Sequence, residues 1–494
     1  MKANSVVVDP AEPVGEHLYQ SLAFRLAALI ECGTLRSGDR IPSVRRVSQQ
    51  EKVSIATALQ AYRLLENRGL IEARPQSGYY VRPRSLSLPA EPGISRPVTR
   101  SRRVDINDLV MRVMHSPIME QASLRTEGGW INFGSASPNP DLLPTAALNR
   151  CLSSAARRHS SSANQCPFPQ GELQLRTQIA RRAMEAGCAL SPDEIVITGG
   201  CQEAIYLSLR AITVPGDTIA IESPAYYGFL QIIQTLGLKA CEVPTSPREG
   251  VCLEELEKCL DSCRVKACLF ALNYSNPLGS CMPDWKKAAL VEMLAKRSIP
   301  LIEDDVFGDI TFDKERPKVA KAFDRQGLVL TCDSFGKTLA PGYRIGWVAP
   351  GRFFERVLEL KFVTSAGTTM LPQLAIADFL ANGGYDHHLR KIRRAYATQL
   401  RQFGQAVAKY LPPGTKITRP NGGWVLWVEL AAKVNALELT ELALAEKIMV
   451  APGPVFSATQ GHRNFVRLTG GAPFDERAEK GLIRLGQIIE RLAR

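Results

Sequence analysis

Short apolar segments alternate with helical patterns from about residue 130 onward, and this alternation constrains the fold more than any other feature of the chain. It predicts a mostly parallel β-sheet covered by helices. In open sheets of this kind ligands bind at the carboxyl ends of the strands, so we expect a site there. A smaller α+β lobe is predicted from about residue 370 to 494. The strand-like segments are Ile195–Ile197, Thr218–Ile221, Cys268–Ala271, Leu301–Ile302 and Leu328–Leu330 in the sheet, and Trp424–Val428 and Phe465–Leu468 in the lobe.

Length and charge indicate a separate module at the N-terminus. With 494 residues the chain is too long for one ordinary core, so two or three domains are expected. Residues 1–103 hold 14 arginines and 2 lysines against 9 acidic residues, which is +7 of the total net charge of +12. This strongly basic first fifth of the chain favours a module that binds a polyanion. Charge alone leaves open that this is only a solvated basic face.

Composition bears on the location of the protein and on metal sites. No run reaches the roughly 18 unbroken apolar residues of a membrane span, and the first residues lack the apolar region of a secretory signal. We therefore expect a soluble, cytoplasmic protein with no membrane partner. The 12 cysteines are scattered and are interpreted as free thiols. Cys259 and Cys263 share a helix face, but a zinc site would need two more ligands. None is evident, so no metal site is expected.

The first 82 residues predict three helices followed by a hairpin. A helix is expected over residues 14–33. A second helix is opened by Ser43 as its N-cap, and a third runs from the N-cap Ser54 to about Gly69. The predicted apolar face of the third helix is Ile55, Leu59, Tyr62 and Leu65. Leu70–Ala73 and Tyr79–Val81 are the two expected strands.

This order of elements, with several local motifs, resembles the GntR family of winged-helix DNA-binding domains. The motifs are Gly38–Arg45, Val53–Ser54, Ala61–Glu66, Arg68–Ile71 and Arg74–Val81. In such a domain the third helix lies in the major groove of double-stranded DNA. The resemblance implies DNA contacts for Arg40, Ser43, Arg45, Ser54, Thr57 and the backbone at Gly78. The alternative is a winged helix that does not bind DNA and serves dimerisation.

One position departs from the GntR pattern. Families of this type often carry an arginine directly after the Val-Ser pair, where it can read guanine. This chain has Ile55 there. An isoleucine can contact a thymine methyl group or help to fill the core, but it cannot donate a hydrogen bond. We therefore expect direct base reading to depend more on Arg45 and Thr57.

One run in the body carries a chemically distinctive lysine. Residues 334–347 place Lys337 in a Gly-flanked turn, with Ser334 three residues before it and Arg344 seven after it. A lysine amine condenses with aldehydes, and burial makes it more nucleophilic by lowering its pKa. A hydroxyl and a guanidinium can hold a phosphate by charge-assisted hydrogen bonds. The whole run resembles the Schiff-base segment of fold-type I pyridoxal-phosphate (PLP) enzymes, the aspartate aminotransferase superfamily.

That resemblance implies pyridoxal 5′-phosphate as the cofactor. Lys337 would form the aldimine, and Asp304 would pair with the pyridine nitrogen so that the ring accepts electrons. The phosphate would lie at a turn that opens a helix, where N–H groups favour an anion. The phosphate residues are Gly200, Cys201, Gln202, Ser334 and Arg344.

The remaining implied residues contact the ring and the substrate. Asn276 would bind the cofactor phenolate, and Tyr226 would stack on the pyridine ring. Arg467 would bind the carboxylate of an amino acid, a bidentate task suited to guanidinium.

Three positions depart from the superfamily pattern. The usual tyrosine three residues after the pyridine-pairing acid is Phe307, and the tyrosine that reaches the partner's PLP phosphate is Cys166. The phosphate-cup serine is Cys201. Each change removes or weakens a donor worth about 0.5–1.5 kcal/mol. We expect a site that holds PLP but turns over poorly, which suits a sensor.

A GntR winged helix joined to an aminotransferase-like body is the arrangement of the MocR group of regulators, which the chain resembles over nearly its whole length. The expected fold is multidomain: a winged helix-turn-helix over residues 13–82, a linker over 83–125, and an α/β fold-type I aminotransferase-like domain over 126–494. Within the last, a large lobe spans about 140–369 and a smaller α+β lobe about 370–494.

The expected function is a homodimeric transcriptional regulator that binds an operator and senses PLP, an amine or an amino acid through an aldimine at Lys337. Two alternatives stay open. One is an active PLP-dependent aminotransferase acting on an amino acid, with an accessory DNA-binding module. The other is a non-catalytic interaction protein whose lysine is structural.

Overall fold

The computed structural model describes residues 18–31, 34–35, 38–67, 70–74, 77–81, 88–114 and 129–494. The chain divides into two compact units, Met1–Ser87 and Leu88–Arg494. Within the described ranges, no helix is both long and apolar enough to cross a membrane.

The first unit is a winged helix-turn-helix, as predicted. Tyr62 lies at the centre of its core, where its hydroxyl donates to the carbonyl of Pro42 at 2.5 Å and its ring meets Tyr79 edge-on. The two strands pair antiparallel, from Ile71 with Val81 to Arg74 with Gly78. The elements are α1 Leu18–Glu31, α2 Val44–Gln50, α3 Ile55–Asn67, β1 Ile71–Arg74 and β2 Gly78–Val81.

The buried face of α3 differs from the predicted one. Ala58, Ala61, Tyr62 and Leu65 are fully buried, whereas Ile55 is 56% exposed. Ala58 and Ala61 are buried in the core. Helix α1 packs against α3. Ile55, the first residue of the helix, is therefore left outside the core. The predicted stop at Gly69 lies outside the described residues.

The predicted linker also differs from the structure over residues 88–114. This stretch belongs to the second unit, where Ser95 exchanges hydrogen bonds with Thr245 and its hydroxyl donates to the carbonyl of Ser223. Arg102–Arg103 form a strand and Asn107–Met114 form a helix. Loops and strands of the body supply hydrogen-bond partners for this segment: its strand pairs with Lys239–Ala240, and Gln234 accepts from the N–H groups of Ile106 and Asn107. Residues 82–87 and 115–128 are outside the described ranges.

The large sheet of the second unit is mixed, with a parallel centre. Its strand order is β3-β7-β6-β9-β10-β11-β12-β5, and β8 pairs with β7. Strands β7, β6, β9, β10 and β11 run parallel, while β3, β8 and β12 are antiparallel to their neighbours. The strands are β3 Arg102–Arg103, β4 Ile131–Asn132, β5 Val196–Thr198, β6 Thr218–Ser223, β7 Lys239–Ser246, β8 Gly250–Val251, β9 Val265–Phe270, β10 Leu301–Asp304, β11 Val329–Ser334 and β12 Gly346–Ala349.

Buried apolar residues of this sheet form the main cores with the helices that surround it. The near-continuous burial of β6 and β10 is what a strand covered on both faces requires. The helices are α4 Asn107–Met114, α5 Thr145–Arg158, α6 Leu173–Ala183, α7 Cys201–Ile212, α8 Tyr227–Thr235, α9 Leu253–Ser262, α10 Asp284–Lys296, α11 Phe354–Ser365 and α12 Met370–Ala381.

The C-terminal part forms the predicted smaller α+β lobe. Its antiparallel sheet has the order β13-β14-β17-β16, and β15 pairs with β4, so the beginning of the body joins this lobe. Phe133, just after β4, is buried in the core of the lobe. The elements are α13 Gly384–Tyr410, β13 Lys416–Ile417, β14 Val425–Glu429, α14 Ala436–Ala445, β15 Ile448–Met449, β16 Ala451–Pro452, β17 Phe465–Thr469 and α15 Glu476–Ala493.

Candidate functional site

The carboxyl ends of the sheet strands open into one cavity of about 210 Å³. Most of the predicted site residues of the body line it directly. Two others, Gly200 and Arg467, lie just behind the lining and contact residues that belong to it. The lining residues from the predicted set are Cys201, Gln202, Tyr226, Asn276, Asp304, Ser334, Lys337 and Arg344.

Lys337 lies in the loop that follows β11. Its Nζ donates to the carbonyl of Ala136 at 2.9 Å and lies 5.5 Å from the ring centre of Phe307. Burial and the nearby Arg467, opposed by Asp304, together lower the pKa of the Lys337 amine to about 8. About a tenth of this amine is therefore neutral, and thus nucleophilic, at pH 7, far more than for an ordinary lysine.

Asp304 ends β10 and faces the same cavity. Its Oδ1 accepts from the backbone N–H of Val306 at 3.1 Å and from the thiol of Cys201 at 3.6 Å. Burial raises the pKa of Asp304 to about 6, which the Val306 N–H counteracts. With this pKa the carboxylate remains mostly ionised at neutral pH, the form that can accept a hydrogen bond from a protonated ring nitrogen.

The turn between β5 and α7 has a geometry suited to binding an anion. Gly200 is the N-cap of α7 with a φ of +95°, and a Cβ there would lie 2.5 Å from Nη2 of Arg344. Only glycine fits both the conformation and the close guanidinium. Arg344 also donates to the carbonyl of Gly199 at 3.1 Å. Strand pairing aligns Ser334 with Gly346 and Gly346 with Thr198, which brings the hydroxyl, the arginine and the helix N-terminus to one place.

An ion pair with a buried lysine supports this turn and was not predicted. Glu203, in the first turn of α7, accepts from the N–H of Gly199 and from Lys361 at 2.9 and 3.1 Å. Lys361 is only 1% exposed. The pair holds the turn in place and offsets the carboxylate charge close to an anion site. No sequence signal could have linked two residues this far apart in the chain.

Arg467 lies on β17 and is almost fully buried. One nitrogen, Nη1, donates to Oδ1 of Asn276 at 3.0 Å, and Nη2 donates to the carbonyl of Gly134. Its Nε is buried without a hydrogen-bond partner among the described residues. Burial lowers the pKa of Arg467. A buried guanidinium with an unused donor is the feature that a ligand carboxylate would satisfy.

Tyr226 follows β6 and forms an aromatic wall with Tyr227 and Phe229, at ring-centre distances of 4.6 and 5.5 Å. Burial raises the pKa of its phenol well above the usual value. The residue therefore offers a neutral ring to the cavity.

A second network supports the lysine loop from behind. Tyr385 donates to Oδ2 of Asp309 at 2.7 Å and lies 3.0 Å from the hydroxyl of Thr338, next to Lys337. Arg316 donates from Nε to Asp309 at 2.7 Å and also pairs with Asp305. Burial opposes ionisation of Asp309, yet Arg316 and Arg182 lower its pKa well below the usual value. The lysine loop is thus fixed to charged groups that are themselves paired.

The three residues that depart from the superfamily pattern lie in different environments. Phe307 is buried and packs edge-on against Trp424 at 5.0 Å, so its ring lines the cavity without a hydroxyl. Cys201 turns its thiol toward Asp304, where burial raises the pKa of the thiol. Cys166 is exposed and is not among the lining residues of the described cavity.

The residues of the first unit that are predicted to contact DNA are all exposed or half-buried. Ser43 and Ser54 cap α2 and α3 by accepting from the N–H groups of Arg46 and Thr57, at 3.3 and 3.0 Å. Arg45 and Arg40 are exposed. A Cβ at Gly78 would lie 3.3 Å from Nε of Arg40, so the wing glycine and this arginine lie side by side.

The segment from Gly134 to Pro138 is the part of the site that the sequence analysis missed. Two of its carbonyls accept from Arg467 and Lys337, and Ser137 and Pro138 line the cavity. The segment is rich in small residues and has no periodicity, so nothing in the sequence marked it.

The two units and this cavity define a class of protein: a winged helix joined to an aminotransferase-type body. Residues 18–81 match the family of bacterial regulatory proteins of the gntR type, and residues 129–482 match the aminotransferase class I and II family. The chain belongs to the GntR regulators of the MocR type. The aminotransferase class I and II fold is a PLP-dependent fold.

Similar proteins include both regulators and aminotransferases. The uncharacterized HTH-type transcriptional regulators YdcR and YjiR of Escherichia coli (strain K12) are 41% and 35% identical, and each alignment covers 96% of this chain and 99% of the relative. Among solved structures, the α-aminoadipate aminotransferase LysN of Thermus thermophilus, complexed with N-(5′-phosphopyridoxyl)-L-leucine, is 25% identical. Its TM-score is 0.70, and the match covers 77% of this chain and 96% of that one.

Proposed function

We propose that this protein is a transcriptional regulator that binds operator DNA through its first unit and binds PLP in the cavity of its second unit. The observation that carries the proposal is the convergence of Lys337, Asp304 and Arg344 on one cavity. The turn at Gly200 and the unused donor of Arg467 fit PLP and a carboxylate ligand respectively.

When bound, PLP supplies an aldehyde for the amine and an electron-accepting ring. The residues of the chain do the rest. Lys337 would hold the cofactor covalently, Asp304 would pair with the ring nitrogen, and Asn276 would bind the phenolate oxygen. Tyr226 would stack on the ring, while Ser334, Arg344 and the N-terminus of α7 would bind the phosphate.

We further propose that the effector is an amine or an amino acid, and that Arg467 selects ligands with a carboxylate. Exposed apolar side chains on the body, at 80% for Phe168, 62% for Phe362 and 74% for Val363, support a homodimer that buries them. A dimer would read two half-sites of an operator. Because a regulator of this kind acts on chromosomal DNA, we place it in the cytoplasm.

Transamination is the competing function, and the lost donors at Phe307 and Cys201 argue that it is slow. The decisive test measures DNA binding and catalysis on the same purified chain. Mobility shift on DNA upstream of its own gene should respond to PLP in the unsubstituted protein and not in Lys337→Ala. Absence of any shift on that DNA would contradict the regulator, and rapid conversion of amino acids to keto acids would contradict the sensor.

A further inference from the structure

Three cysteine sulfurs meet at one point outside the cofactor cavity. Cys241 lies on β7, Cys259 on α9, and Cys263 directly after α9. The Sγ atoms of Cys241 and Cys259 are 2.7 Å apart, those of Cys241 and Cys263 are 3.7 Å apart, and all three lie within 4.8 Å of one another. The sequence spacing indicated only the helical pair, because the third sulfur comes from a neighbouring strand.

The surroundings of this three-thiol cluster are apolar. Cys241 and Cys259 belong to a buried core with Leu256, Val243 and Phe270. Among the described residues, the sulfurs have side-chain partners only in one another and in the hydroxyl of Ser262, which lies 3.8 Å from Cys263. Cys263 is half-buried and therefore gives the cluster its access to solvent.

The number of ligands and the charge decide which ion suits such a cluster. A structural zinc ion takes four ligands, and no fourth histidine, cysteine or carboxylate joins the group within the described part of the chain. Three thiolates around a divalent or monovalent ion would leave net negative charge among apolar side chains, which is costly. Three thiolates around a trivalent centre leave no net charge.

We propose that Cys241, Cys259 and Cys263 form a binding site for a trivalent thiophilic centre, with arsenite as its probe. Soft sulfur ligands favour soft centres. Arsenous acid condenses with the three thiols: three S–H and three As–O bonds break, three As–S bonds form, and three waters leave. No oxidant or reductant takes part, and neutral reactants give a neutral product.

The test uses the full-length protein, reduced and desalted, with and without arsenite. The intact mass should rise by one arsenic less three hydrogens at one arsenic per chain. Native alkylation followed by peptide mapping should show arsenite protecting Cys263 most visibly, with Cys241 and Cys259 protected under mild destabilisation. Cys252, which is half-buried at the start of the same helix, should alkylate equally with and without arsenite.

Variants separate the cluster from the other cysteines. Cys263→Ser should lose retention of arsenic through gel filtration, and Cys252→Ser should retain one arsenic per chain. Cys263 is half-buried, so its substitution is the one best tolerated by the core. Retention of arsenic by Cys263→Ser, protection at other cysteines, or a Cys241–Cys259 disulfide in the protein isolated from cells would each overturn the proposal. Tight binding of zinc or monovalent copper by the three cysteines without arsenite binding would overturn it as well.

Discussion

Arg467 donates from Nη1 to Oδ1 of Asn276 at 3.0 Å, so the residue proposed to bind a ligand carboxylate is hydrogen-bonded to the residue proposed to bind the cofactor. The oxygen of the Asn276 amide is thereby occupied, and its NH₂ group is the part that can donate to a phenolate. Under the proposed roles, a ligand at Arg467 would act on the same hydrogen bond that orients Asn276 toward the cofactor.

Replacement of Arg467 by lysine should separate ligand binding from cofactor binding. Lysine keeps the charge but not the planar fork, so affinity for amino acids should fall about tenfold or more, the value of a charge-assisted hydrogen bond. Absorbance titrations with PLP and then with an amino acid measure both steps. Simple amines without a carboxylate serve as the control, and their binding should change little. An unaltered amino-acid response would contradict the role of Arg467.

Capture of PLP should depend on pH through the amine of Lys337. Burial lowers its pKa to about 8, so the capture rate should rise about tenfold per pH unit below pH 8 and level off above it. Stopped-flow absorbance measures this rate, and Lys337→Arg should lack the lysine-bound visible band. A rate that keeps rising to the ordinary pKa of lysine would contradict the shift.

Cys201→Ala should shift the titration of Asp304. The thiol is one of two groups that donate to Oδ1 of Asp304, and their donation favours the charged carboxylate. Its loss should raise the pKa of Asp304 above about 6, and a carboxyl infrared titration of the protein without PLP measures the shift. Cys201→Ser should restore the donor and reverse the shift. A downward shift in Cys201→Ala would show that the thiol acts otherwise.

Ile55→Ala should weaken operator binding without unfolding the first unit. The side chain is 56% exposed, and surface substitutions usually change stability by no more than about 0.5 kcal/mol. Fluorescence anisotropy with operator DNA should therefore show a loss that thermal melting does not. Leu65→Ala is the buried comparison and should cost about 2–5 kcal/mol. Equal DNA affinity in Ile55→Ala would leave base contact at this position without support.

Asp309→Asn should destabilise the lysine loop. The half-buried carboxylate pairs with Arg316 and Arg182, and its loss should cost about 1–3 kcal/mol, because both arginines keep another carboxylate partner. Because the folded pKa of Asp309 is depressed, its contribution is present above the ordinary aspartate pKa and is lost as pH falls below it. Urea melts at neutral and acidic pH should show a smaller difference between the two proteins in acid. A difference that stays constant across this range would contradict the depressed pKa.

Much of the fold followed from local patterns. We could predict the periodic helices, the hairpin and the strands beginning near Thr218 and Leu301, because each depends on a pattern of neighbouring residues. The antiparallel β12 and the docking of residues 88–114 were not, because both depend on which edges of the sheet remain to be paired.

The residues of the candidate site also fall into two groups, those predictable from local motifs and those brought together only by folding. Lys337, Asp304 and Gly200 could be predicted because each lies in a recognisable local sequence motif. The Glu203–Lys361 pair, the third cysteine at Cys241 and the carbonyls of residues 134–136 come together only through folding. Exposure of Ile55 required the register of α1 against α3, which no periodicity of α3 alone could supply.

The backbone of residues 134–136 accepts hydrogen bonds from both Arg467 and Lys337. Cofactor bound at Lys337 would compete with the carbonyl of Ala136 for the lysine amine, whereas a carboxylate on Nε of Arg467 would leave the hydrogen bond to Gly134 in place. Both carbonyls belong to one short piece of chain that continues from β4, which is paired with the smaller lobe at β15. Filling the cofactor end of the cavity would therefore release one of the two tethers of this segment, which is continuous with a strand paired to the smaller lobe.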